Sequence, residues 1–102
     1  MEQLSKENEI QIELGDDVAQ GTYSNLAVIS HSTSEFVIDF ILMVPGVSKA
    51  KVKSRIILTP EHAKRLLMAL KDNIDKFEQH NGSIRVQNNP GFVPPIGGIG
   101  QA

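Results

Sequence analysis

The sequence predicts an α+β domain: a four-stranded antiparallel sheet (a meander) followed by one long amphipathic helix packed on one face. Three observations predict it. Four strand-like segments occupy residues 10–59, marked by period-2 alternation or by dense β-branched and aromatic content. The connections between them are hairpin-length, whereas parallel pairing needs a long crossover. A helical periodicity with signals at both ends then runs from Thr59 to Gly82.

"IQIEL" (Ile10–Leu14) alternates apolar and polar residues, so Ile10, Ile12 and Leu14 share a face of the first predicted strand. "GDD" breaks it. The second strand is expected over roughly Gly21–His31, and "STS" turns the chain. The third is "EFVIDFILMV" (Glu35–Val44), closed by the Pro45-Gly46 pair, a strong turn signal. The fourth is "AKVKSRIILT" (Ala50–Thr59). The helix is expected over 60–80. Thr59 is a good N-cap, Pro60 suits the first helical position, and Glu61 sets negative charge at the positive end of the dipole. Ala63, Leu66, Leu67, Leu70, Ile74 and Phe77 form one apolar stripe. Asn81-Gly82 is the stop signal. "SIRVQ" (Ser83–Gln87) is a candidate for a further short strand. Residues 1–8 read as a disordered N-terminal arm, 9–87 as a single domain, and the Pro- and Gly-rich 88–102 as a flexible tail.

Face alternation constrains the pairing of the last two strands. Phe36, Ile38, Phe40 and Leu42 should face the helix, with Val37, Asp39, Ile41 and Met43 on the other side. On the fourth strand, alternation separates Val52, Ser54, Ile56 and Leu58 from Lys51, Lys53, Arg55 and Ile57. A five-residue loop pairs Phe36 with Leu58, Ile38 with Ile56, Leu42 with Val52 and Asp39 with Arg55. A three-residue loop keeps the faces but sets Asp39 opposite Lys53. In both, an acid meets a base across the strands, which gives Asp39 a structural role. The face bearing Val37, Asp39, Ile41, Met43, Lys51, Lys53, Arg55 and Ile57 mixes apolar and charged groups. That makes it the candidate binding or interface face.

Composition narrows the function classes. A formal net charge of −2 gives no bulk attraction to nucleic acid or anionic membrane. The absence of cysteine removes disulfides, thiolate metal sites and thiol nucleophiles. "MEQLSKENEI" has no apolar core of a signal peptide, and no run approaches a membrane span. The expected compartment is the cytoplasm. His31, His62 and His80 carry no metal-ligand spacing, so neither a metal nor a cofactor is expected. The serines around His31 lack a nucleophile elbow, and "GGIG" neither follows a strand nor opens a helix. No catalytic residue is assigned. The alternating bases Lys49, Lys51, Lys53 and Arg55 make one face of a strand basic enough to follow a phosphate backbone. The aromatic residues for base stacking are few, and Phe36 and Phe40 lie on the opposite face.

The blocks Tyr23-Ser24-Asn25, Glu35-Phe36-x-x-Asp39-Phe40 and Ser54-Arg55-x-x-x-Thr59-Pro60-x-His62-Ala63-Lys64 occur in an order that resembles domain-of-unknown-function family 3467, small bacterial proteins. The resemblance spans roughly Ile10–Val86 and leaves the N-terminal arm and the tail outside it. It implies no stated activity. It marks Tyr23, Asn25, Glu35, His62 and Lys64, beside Asp39, Arg55 and Pro60, as motif positions without a known role. The function expected is a non-enzymatic binding or assembly module, a homodimer or higher oligomer that also takes another protein as partner. The alternatives are binding of single-stranded nucleic acid through the basic row of strand 49–59, and binding of unfolded polypeptides in the manner of the SecB chaperone.

Overall fold

The computed structural model describes residues 9–87; the arm and tail read from the sequence lie outside the described residues. The elements are α1 (Asp16–Ala19), β1 (Leu26–His31), β2 (Phe36–Leu42), β3 (Lys51–Leu58) and α2 (Pro60–Asn81). The strands form an antiparallel sheet in the order β1-β2-β3, with β2 in the middle. The class is the predicted one, with three strands in place of four. Ile10–Leu14 takes no strand conformation, and Ile10, Ile12 and Leu14 are exposed. Its alternation suits a sheet edge, but among the described residues no strand pairs with it. The second expected strand begins five residues late, at Leu26, because residues 16–21 turn. There Ala19 N–H donates to Gly15 C=O (2.9 Å) and Gly21 N–H to Val18 C=O (3.0 Å). Ser83–Gln87 forms no strand; the Ile84 N–H instead donates to the Glu78 carboxylate (2.9 Å).

The β2–β3 register pairs Phe36 with Leu58, Ile38 with Ile56 and Asp39 with Arg55, as the five-residue loop requires. Beyond Phe40–Ser54 the register shifts. Ile41 pairs with Val52 and Leu42 with Lys51, leaving Lys53 as the extra residue of a β-bulge. The expected Leu42–Val52 pair is therefore absent. Residues directly opposite share a face, so the bulge moves Val52 to the Asp39 side and Lys51 to the Phe40 side.

Thr59 caps α2, accepting a hydrogen bond from the His62 N–H on its Oγ1 (3.2 Å). Gly82 ends the helix at φ 87°, a backbone angle that side chains with a Cβ rarely adopt, while its N–H donates to Glu78 C=O (3.0 Å). At 22 residues the helix is ~33 Å long. It touches the sheet mainly through β3, and none of its residues is buried. Among the described residues only Ile38 (8% exposed) and Ile41 (9%) are buried. Such a core is small even for a domain of this length.

Candidate functional site: an open apolar cleft between helix and sheet

The side of the sheet that faces α2 carries Ala27 and Ile29 from β1, Phe36, Ile38 and Phe40 from β2, and Leu58 from β3. Opposite them stand Ala63, Leu66, Leu67 and Leu70, one face of the first turns of α2. The helix does not close onto the sheet. An open cleft of about 460 Å³ remains, and Lys64 is its one charged lining residue. The same stripe continues along α2 through Ile74 (37% exposed) and Phe77 (51%). Burying apolar side chains is the main favourable term in folding, so a stripe left this open is unfinished packing.

The opposite side of the sheet differs from the expected mixed binding face. Ile41 is buried there, opposite Leu26 and Val52, while Val37, Asp39 and Met43 are half-buried. Ile57 remains 54% exposed. The Arg55 guanidinium grips the Asp39 carboxylate with two hydrogen bonds, Nε to Oδ1 (2.6 Å) and Nη2 to Oδ2 (2.8 Å). These bonds hold the Asp39 carboxyl below its usual range, against a smaller opposing effect of burial. They raise Arg55 in turn. The carboxylate that sequence placed inside an apolar run is thus half of a bidentate cross-strand pair. Lys51 and Lys53 are exposed, but the bulge takes them out of a common row with Arg55.

The motif positions divide into those with a visible structural task and those without. The Asn25 side chain continues the β1–β2 ladder: its Nδ2 donates to Met43 C=O (3.0 Å), and its Oδ1 accepts from Met43 N–H (2.7 Å). Next to it, Ser24 Oγ lies 3.1 Å from the carbonyl oxygens of both Leu26 and Ile41, which share its single hydroxyl proton. Glu35 closes the β1–β2 turn through its backbone, which donates to Ser32 Oγ (3.2 Å). The His62 backbone fills the Thr59 cap, and Lys64 borders the cleft. Tyr23 is 83% exposed, and no structural task is visible for it. His31 stacks on Phe36 with ring centroids 5.3 Å apart. The structure does not bring His31, His62 and His80 together with carboxylates: among the described residues no group of three or more His, Cys, Asp or Glu is placed to hold a metal. Nor is any described helix long and apolar enough to cross a membrane.

A family model described as "Protein of unknown function (DUF3467)" matches residues 1–86. The chain belongs to this family. The match reaches residue 1, so DUF3467 takes in the N-terminal residues that the motif blocks left out. Asn25, Asp39, Arg55 and Thr59, all inside the DUF3467 match, make the contacts that fix the sheet and start the helix. No curated protein and no solved structure matches the chain.

Proposed function

We propose that this protein is a non-enzymatic binding and assembly module of the cytoplasm, working as a homo-oligomer whose α2–sheet cleft is filled by apolar side chains of a protein partner. The observation that carries the reading is the cleft itself: nearly all-apolar walls, open to solvent, in a chain with two buried side chains among the described residues. Pockets that take small polar substrates place convergent polar groups among the apolar ones. Here only Lys64 offers a charge. Asp39 is engaged by Arg55 and lies on the other side of the sheet, so it is poorly suited to act as a general base.

Binding of single-stranded nucleic acid has less support. The basic row that suggested it is interrupted by the bulge at Lys53, and Arg55 is committed to Asp39. An unfolded polypeptide remains an acceptable occupant of the cleft in addition to self-assembly, as its apolar walls suit either. Light scattering over a wide concentration range tests the reading. A dimer or larger particle at micromolar concentration is expected. A monomer at high micromolar concentration would sink the assembly reading.

A further inference from the structure

Ile10, Ile12 and Leu14 are patterned as a strand and have no sheet to join. They are 85%, 92% and 69% exposed, and the peptide groups of residues 10–14 pair with nothing among the described residues. Meanwhile the sheet has two edges that differ in kind. The β3 edge carries Lys51, Lys53 and Arg55 and a bulge, devices that deter pairing. The β1 edge, Leu26–His31, has no Lys, Arg, Asp, Glu or Pro. The Ser32 N–H to Glu35 C=O bond (2.9 Å) fixes the alternation of the β1–β2 ladder. Even-numbered β1 residues bond to β2, so Ala27, Ile29 and His31 turn their N–H and C=O groups to the open edge.

We propose that the Ile10–Leu14 segment of a second copy of this chain adds to the β1 edge, reciprocally, so that each sheet receives its fourth strand from its partner. The inference rests on the assembly reading above and names the partner and the surface. The lengths agree: five residues extend ~17 Å, against ~20 Å for the six of β1. With Ile10, Ile12 and Leu14 on the α2 side, beside Ala27 and Ile29, the added strand widens the floor of the cleft. Gln11 and Glu13 then take the other face. Reciprocal exchange closes about a two-fold axis and leaves no unmatched surface. The area is sufficient. Large apolar residues expose on the order of 150–200 Å² each when fully open. At the observed exposures, the three arm residues and the stripe Leu66, Leu67, Leu70, Ile74 and Phe77 come to roughly 800 Å² per copy, the size of a standard stable interface.

Single cysteines test this cleanly, because the chain has none of its own. Ile12→Cys protein and differently tagged Ala27→Cys or Ile29→Cys protein are mixed and mildly oxidised. A disulfide joining the two tags is expected from at least one of these mixtures. On one chain, Ile12→Cys/Ile29→Cys is expected to give linked dimers if that register is the native one. Closure within single chains would instead place the arm on its own sheet and overturn the proposal. So would ready self-linking of Ile29→Cys without any Ile12→Cys, which would mean that two β1 strands pair directly. Ile10→Asp/Ile12→Asp alters only exposed positions, so the fold should persist by circular dichroism while self-association weakens at least tenfold. Wild-type association in that variant overturns the arm exchange but leaves the assembly reading standing. A monomeric wild-type chain removes both.

Discussion

Replacing Leu67 with alanine separates a chain that works alone from one whose helix is covered. Leu67 is 60% exposed on the single chain, so about two-fifths of its surface is in contact. Shortening leucine to alanine removes about 2.4 kcal/mol of transfer free energy when the side chain is fully buried, at ~0.8 kcal/mol per methylene-sized group. Scaled to the contact on the single chain, the loss is about 1 kcal/mol, less a small gain from the better helix propensity of alanine. Covered by a partner, the same position behaves as a core site, where Leu→Ala costs about 2–5 kcal/mol. The expected result is about 2–3 kcal/mol per chain. Urea denaturation followed by circular dichroism at several protein concentrations measures it, with Ile38→Ala as the buried reference. The midpoint of the wild type should rise with concentration, since association that favours the folded state stabilises it by mass action. A loss of 1 kcal/mol or less, together with a concentration-independent midpoint, would refute the reasoning.

Two further outcomes follow from bonds within the chain. Thr59→Ala removes the side-chain acceptor of the His62 N–H and should cost about 0.5–2 kcal/mol in thermal melts, with Thr59→Asn or Thr59→Asp restoring most of it. Asp39 has its pKa lowered in the folded state by Arg55, so its contribution is fully present above the unfolded carboxyl value of ~3.9 and is lost as pH falls through the folded value. Asp39→Asn should therefore flatten the acid limb of the stability–pH curve below about pH 4. Equal acid sensitivity in both proteins, measured by urea midpoints, would contradict it.

The parts of this structure that were legible in the sequence are those that local chemistry decides. Thr59, Pro60 and Gly82 bracket α2 because caps and stops act within a turn of the chain. Face alternation, under which a slip of one residue would send apolar groups to water, left two pairings open, and the structure takes the one with Phe36–Leu58 and Asp39–Arg55 rather than Asp39–Lys53. The bulge at Lys53 was not legible. "KVKSR" alternates without a glycine or proline, so alternation alone carried Lys51 and Val52 to the wrong faces. The open cleft under α2 was not legible for a related reason. Sequence shows that a helix has an apolar stripe, but not how closely that stripe approaches the sheet, and the open surface lies in that gap. Asn25 had a local signal, the Tyr-Ser-Asn block, yet its two bonds to Met43 span eighteen residues of sequence and depend on the finished hairpin.

The fourth strand is the instructive difference, because alternation in Ile10–Leu14 is a statement about a surface and not about a partner. A period of two says that one side of an extended segment seeks apolar contact; it does not say on which molecule. In the single chain two surfaces remain incomplete, the cleft under α2 and the edge of β1. Ala27 and Ile29 belong to both: they line the cleft, and their peptide groups point to the open edge. A strand laid against that edge with its apolar residues toward α2 would answer both deficits at once. One filling only the cleft would leave the β1 peptide groups open, and one pairing only through Gln11 and Glu13 would leave the stripe in water. Folding and association are on this view one equilibrium, and the small core of the single chain is its physical reason.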